Sequence, residues 1–291
     1  MATTREWFEG ARPRTLPAAV APVAVGAGLA AYVDALLPWR VLLALIVAVS
    51  LQVGVNYAND YSDGIKGTDA VRVGPVRLVG QGLAPARQVR SAAIGAFLVA
   101  AAAGLALVVI TNEWWLLLVG VASIAAAWLY TGGPRPYGYA GLGEVFVFVF
   151  FGLVPVVGTA YVQTLTITAV DVVASVGVGL LACAILVTNN LRDIAGDTAV
   201  GKVTLAVRLG DRRTRRLYAA MVILALLVPV ALGVMTSPWV AAALASGVLA
   251  VSPVRIVLGG ALGPSLIPAL KQTGVLLLVY GLALGLLLGL A

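Results

Sequence analysis

The sequence predicts an all-α integral membrane protein with nine transmembrane helices and a cytoplasmic N-terminus, on three observations. Of the 291 residues, 61% are hydrophobic and 11% charged, where a soluble domain carries about 25% charged residues. Apolar runs recur at 18–33, 38–58, 91–111, 114–131, 140–163, 171–190, 216–235, 239–257 and 272–290, each suited to cross a hydrocarbon core of about 30 Å as a helix of about 20 residues. With the N-terminus inside, every one of the 19 basic residues except Arg40 falls in an inner segment, the asymmetry that cytoplasmic loops show.

The net charge of +7 therefore reads as topology and attraction to anionic membrane lipids, and nucleic acid need not be invoked. Histidine is absent, which excludes histidine general bases and the common zinc-hydrolase motifs. The single cysteine, Cys183, lies in an apolar run and reads as core packing. The basic start and the run Gly28-Leu29-Ala30-Ala31 imitate a cleaved signal peptide; removing that span would turn the inside-basic pattern outward.

In order along one domain, 1–291, residues 1–16 set Trp7 and Phe8 among Arg5, Glu6, Glu9 and Arg12, a mix suited to a short interfacial helix. Pro13, Pro17 and Pro22 punctuate entry into the first span. The second carries Gln52, Asn56 and Asp60 at i, i+4 spacing, a stripe expected to face inward. Residues 64–90 are Gly/Pro-containing and basic, too long for a simple turn. Trp114 and Trp115 are expected as interface anchors. The crossing from Tyr130 to Glu144 is rich in Gly and Pro and carries Tyr130, Arg135, Tyr137 and Tyr139. Residues 191–216 are expected as the largest inner loop, with Arg212, Arg213, Arg215 and Arg216 as a topology and lipid anchor. Gly281, Gly285 and Gly289 form a stripe that permits close helix packing.

Two stretches place acids at the ends of apolar runs. If the helix entering the first continues at about 100° per residue, Asn56, Asn59, Asp60 and Asp63 fall near 0°, 300°, 40° and 340°, one face about 100° wide. The second, Asn189 to Asp197, sets Asn189, Asp193 and Asp197 at i, i+4 and i+8. Parity puts both stretches and the Tyr130–Tyr139 crossing on one side of the membrane. Clustered Asp with neighbouring Asn oxygens suits Mg²⁺, which takes one or two carboxylates plus substrate phosphates. Lys66, Arg72, Arg77, Arg135, Arg192 and Lys202 add phosphate-binding cations. Together they ask for a lipid diphosphate, its head at the surface and its tail among the helices, ionising to an allylic cation that tyrosine rings face. The rival class is a transporter, since intramembrane acids line ion pathways; against it, the acids cluster on one side and the flanks of the two motifs differ.

Asn59-Asp60-Tyr61-Ser62-Asp63 with Asp193-x-x-x-Asp197 resembles the paired Asp-rich motifs of the UbiA-type intramembrane prenyltransferases. The stretches Arg12–Pro17, Asn59–Asp69, Gly74–Val79, Tyr130–Glu144 and Asn189–Ala206 resemble the branch that prenylates 1,4-dihydroxy-2-naphthoate in menaquinone synthesis. The resemblance implies nine helices around a central cavity, a bacterial cell membrane location, and cytoplasmic active-site loops at 59–90 and 189–216. It implies polyprenyl diphosphate as donor and naphthoate as acceptor, with 4-hydroxybenzoate, haem, chlorophyllide or phosphoribose as acceptors of other branches. By the same resemblance Asp60, Asp63, Asp193 and Asp197 hold Mg²⁺ with Asn59. Asp69 stands in where the wider family has an Asp and this chain has Gly67. Lys202, Lys66, Arg72 and Arg77 bind diphosphate; Asn190 and Arg192 join the substrate site; Tyr130, Arg135, Tyr137 and Tyr139 lie near acceptor or cation.

Overall fold

The computed structural model describes residues 2–67 and 76–291, and among them the regular structure is all helical. Every predicted apolar run is helical over most of its length. Seven stretches are long and apolar enough to cross a membrane: Pro38–Lys66, Ala86–Thr111, Gly143–Thr164, Ala169–Ala199, Leu205–Met235, Pro238–Leu258 and Gly263–Gly289. An eighth joins Thr4–Thr15 to Pro17–Tyr32 across a 49° bend. The run at 114–131 forms the helix Leu116–Leu129, 14 residues, or about 21 Å at 1.5 Å per residue.

The α-helices are α1 (Thr4–Gly10), α2 (Pro17–Tyr32), α3 (Pro38–Lys66), α4 (Ala86–Thr111), α5 (Leu116–Leu129), α6 (Gly143–Phe148), α7 (Val154–Thr164), α8 (Ala169–Ala199), α9 (Leu205–Met235), α10 (Val251–Leu258) and α11 (Ile267–Gly289). A π-turn, Val149–Leu153, joins α6 to α7 just before Pro155. Proline has no N–H and its ring crowds the carbonyl four residues back, which opens the turn there. The tightest pairings are α8 with α9, α3 with α4, and α2 with α11. The last of these is the predicted glycine seam. A Cβ on Gly28 would overlap the Gly285 carbonyl, and one on Gly285 the Ala24 carbonyl, so the two backbones touch.

The N-terminal segment lies on α3 rather than free in the interface. Thr3 and Glu6 form a capping box at α1, Tyr57 Oη donates to the Trp7 carbonyl at 2.8 Å, and the two rings meet edge-on at 5.7 Å. The stripe Gln52, Asn56, Asp60 is buried as expected. Cys183 is buried too, its thiol on the Glu144 carbonyl.

Two expectations change. The segments read as loops, 59–66 and most of 189–216, are helix: α3 runs to Lys66, α8 to Ala199, and α9 starts at Leu205 with a break at Gly210 (φ 72°, ψ 170°). Polar residues extend these helices beyond their apolar lengths because neither stretch contains proline. Arg215 is also no lipid anchor. It is buried, pairs with Asp211 at 2.6 Å, and donates to the carbonyl of Val257 in the last turn of α10 and to that of Ala261 just beyond it. Arg212, Arg213 and Arg216 are exposed.

Gly28→Val is expected to cost about 1–3 kcal/mol by overpacking and to lower the thermal midpoint in detergent, whereas Gly95→Ala, where a Cβ meets open space, leaves it unchanged. Arg215→Gln lowers the midpoint and Arg213→Gln does not.

Candidate active site

The last turns of α3 and α8 carry the two acid motifs to one end of the bundle, and two connecting segments close over them. The crossing between α5 and α6 is stapled to α3: Thr131 Oγ1 donates to Asn59 Oδ1 at 2.8 Å, Lys66 Nζ to the Thr131 carbonyl at 2.6 Å and the Gly133 carbonyl at 3.2 Å, and Tyr139 Oη to Asp63 Oδ1 at 2.8 Å. The link between α8 and α9 joins it through Val203 N–H on the Tyr139 carbonyl at 3.1 Å. Lys66 and Lys202 flank the Tyr139 ring, each 5.3 Å from its centroid, so one phenol ties both lysines and an aspartate together.

Beneath this cap lies a polar recess of about 70 Å³, walled by the cations Arg12, Arg77, Arg192 and Lys202 and by oxygens of Asn59, Asp63, Tyr130, Thr131 and Asn189. Arg192 grips Asp193 with two bonds of 2.7 Å and also reaches Asn189 Oδ1 at 2.8 Å. Lys202 pairs with Asp197 at 3.3 Å. Both pairs are largely buried, with side chains 7% to 11% exposed, and each charge needs its partner because removing one strands the other in low dielectric.

The recess adjoins a cavity of about 480 Å³ inside the bundle. Its walls are mainly alanine, valine and leucine from α2 to α5, with an aromatic side made by Tyr130, Tyr137, Phe146, Phe150 and Phe151; the last two come from the π-turn. Tyr137 stacks on Phe146 at 3.9 Å, meets Tyr130 edge-on at 5.5 Å, and donates to the Ala126 carbonyl at 2.7 Å. Burial pushes its phenol pKa up, so the ring stays neutral. Arg12, Asn59, Tyr130 and Asn189 line both spaces, a collar between the polar recess and the apolar cavity.

Of the residues singled out in the sequence, the recess gathers Asn59, Asp63, Arg77, Tyr130, Arg192 and Lys202, with Asp193 and Asp197 paired to its cations. Lys66 and Tyr139 form the cap, and Tyr137 the aromatic wall. Three lie elsewhere. Asp60, 1% exposed, accepts the Leu78 N–H at 2.7 Å and the Val79 N–H at 3.2 Å, holding the segment that carries Arg77. Asn190 donates to Glu144 Oε1 at 3.0 Å. Arg135 is exposed and lines neither space. Asp69 and Arg72 lie outside the described residues. Arg12 and Thr131 wall the recess without having been singled out by the sequence as site residues; an arginine before a proline at a membrane entry looks like any topology charge.

Among the described residues no three carboxylates converge. The donor set nonetheless fits Mg²⁺, which prefers hard oxygens and takes one or two carboxylates beside substrate phosphates and water: Asp63, Asn59 and Asn189 wall the same recess as four cations.

The UbiA prenyltransferase family matches residues 19–260, and the chain belongs to it. It is 52% identical to the 1,4-dihydroxy-2-naphthoate octaprenyltransferase of Mycobacterium leprae over 97% of this chain and 96% of that one. It is 42% identical to the enzyme of the same name from Escherichia coli over 75% and 73%. The solved structure of a UbiA homologue from Archaeoglobus fulgidus bound to GPP and Mg²⁺ superposes with a TM-score of 0.68, at 15% identity, over 96% of this chain and 99% of that one.

The position of Asp60 separates anchoring from ligand binding. Asp60→Ala forfeits two hydrogen bonds to a charged acceptor, roughly 1.5–3 kcal/mol each, and should expose Arg77 to trypsin. Asp63→Asn should leave Arg77 protected.

Proposed function

We propose that the protein transfers a polyprenyl group from polyprenyl diphosphate to 1,4-dihydroxy-2-naphthoate, with loss of the carboxylate as CO₂, giving the demethylmenaquinone skeleton. The observation that carries this reading is the collar: a cation-rich oxygen recess passes directly into an apolar cavity, the shape of an anionic head with a hydrocarbon tail. Relatives of the same name at high identity support the acceptor. The nine apolar helical runs and the basic asymmetry support nine crossings of a bacterial cell membrane, with the N-terminus and the recess on the cytoplasmic side.

In this reading Arg77, Arg192 and Lys202 hold the diphosphate, and the apolar cavity takes the prenyl chain. Arg192 and Lys202 can turn from Asp193 and Asp197 to phosphate oxygens, and Asp193, Asp197, Asp63 and Asn59 would then be the residues to hold Mg²⁺. Bound there, Mg²⁺ would stabilise charge on the departing diphosphate. Lys66 and Tyr139 keep the cap closed over the head and exclude water. Tyr130 and Tyr137 present ring faces near the collar, where an allylic cation gains cation–π stabilisation. The carboxylate-bearing carbon of the acceptor ring then bonds to the allylic carbon, and its C–CO₂ bond breaks, returning the electron pair to the ring and releasing CO₂ with no proton transfer at that carbon.

Purified protein with naphthoate and polyprenyl diphosphate should release CO₂ and a prenylated naphthoquinol only when Mg²⁺ is present, with EDTA abolishing turnover. Replacement of naphthoate by 4-hydroxybenzoate should give no product; turnover on that acceptor alone would keep the chemistry and discard the acceptor. Asp63→Asn and Asp193→Asn should each lose about 10²-fold or more in kcat with membrane insertion intact, and normal turnover in both would overturn the metal assignment.

A further inference from the structure

Among the described residues four cations wall the recess, and of these Arg12 alone also lines the apolar cavity. Arg192 and Lys202 belong to the acid motifs through Asp193 and Asp197. Arg12 comes instead from the turn between α1 and the short 3₁₀ turn Pro13–Thr15, in the left-handed region at φ 54°, ψ 66°. A non-glycine residue holds that conformation only where its surroundings enforce it, and such outliers gather at functional sites.

The enforcement is visible. Thr15 Oγ1 donates its one proton to the Arg12 carbonyl at 2.8 Å, so its oxygen must accept. It accepts from Gln52 Nε2 at 2.8 Å and Asn56 Nδ2 at 2.9 Å, and Asn56 Nδ2 also reaches the Ala11 carbonyl at 2.9 Å. Gln52 and Asn56 are 5% and 3% exposed. Two buried amides inside an apolar bundle are thus spent on the backbone of one turn, and Arg12 is the residue that this turn contributes to both spaces.

We propose that Arg12 binds the carboxylate of the aromatic acceptor. The inference rests on the reaction proposed above. There the diphosphate occupies the recess and the acceptor ring approaches the allylic carbon from the apolar side, so the ring's carboxylate, on the carbon that forms the new bond, falls at the collar. The other collar residues, Asn59, Tyr130 and Asn189, are neutral. Guanidinium is planar and matches a carboxylate with two parallel bonds. A cation at this boundary therefore selects acceptors that carry an acid on the ring and sets which ring carbon faces the prenyl group.

The test uses the full-length protein in detergent and compares wild type with Arg12→Gln and Arg12→Lys. The readouts are KM for naphthoate, KM for polyprenyl diphosphate, and the inhibition constant of 1,4-naphthalenediol, the same ring without the carboxylate. Arg12→Gln should raise KM for naphthoate about tenfold or more, the weight of a charge-assisted bond, with kcat nearly unchanged, as for loss of uniform binding. KM for the diphosphate and the naphthalenediol constant should not move, and Arg12→Lys, which keeps the charge, should fall between. A rise in KM for the diphosphate with naphthoate unaffected would make Arg12 a donor cation and overturn the proposal. So would an equal shift for naphthoate and naphthalenediol, which marks a structural role. If Arg12→Gln does not fold, Arg12→Lys and the wild-type ratio of naphthoate to naphthalenediol affinity decide: equal affinities overturn it. Absence of naphthoate turnover by wild type would instead overturn the reaction on which it rests.

Discussion

Two buried ion pairs, Arg192 with Asp193 and Lys202 with Asp197, set the terms for the whole end of the bundle. Charges this far from water are tolerated only as neutral sets, because desolvation costs several kcal/mol per ion and is offset only by a close, well-bonded partner. A ligand can enter only if it preserves the balance. A polyanion with a divalent cation does, since each basic side chain can trade a carboxylate for a phosphate and each carboxylate a guanidinium or ammonium for the metal. In the proposed reaction the pairs hold the site together before the ligand binds and favour a ligand that keeps their charge balanced.

The surrounding structure holds this set in place and joins it to a second solvent. Tyr139, between Lys66 and Lys202 and bonded to Asp63, links the end of α3 to the segment between α8 and α9 through one ring. Asp60 fixes the loop behind it through two backbone amides. On the other side the collar gives way within one residue's width to alanine, valine and stacked aromatics. The π-turn before Pro155 swings Phe150 and Phe151 into that wall, an example of helix irregularity serving a cavity. Between α2 and α11 the glycine seam lets the two backbones touch, and there contact alone holds the helices together.

Much of this was legible in the sequence, for physical reasons. Apolar runs of membrane length and a one-sided distribution of Lys and Arg are strong signals, and each run is helical over most of its length. The 100° rotation placed Asn59 and Asp63 together, and Asn189 and Asp193 on a matching face, because both stretches continue unbroken helices. What stayed hidden depends on neighbours distant in the chain. The helical phase of Asp60 says that it points inward, yet only the fold reveals Leu78 and Val79 amides waiting for it. Arg215 sits in a run of four arginines indistinguishable by composition, while burial against Val257 and Ala261 sets it apart. Arg12 carries no local mark of its place in two cavity walls. The helices also run on past the acid motifs, α3 to Lys66 and α8 to Ala199, because polar residues alone do not end a helix.

The central claim is that diphosphate and metal bind together in the recess by exchanging partners with the buried pairs. Electron paramagnetic resonance of Mn²⁺, standing in for Mg²⁺, tests it most directly on the purified protein titrated with inorganic diphosphate. The account predicts a protein-bound Mn²⁺ signal that appears with diphosphate and is lost in Asp63→Asn and Asp193→Asn. An unchanged signal in both variants, or diphosphate that binds equally tightly in EDTA, would contradict it.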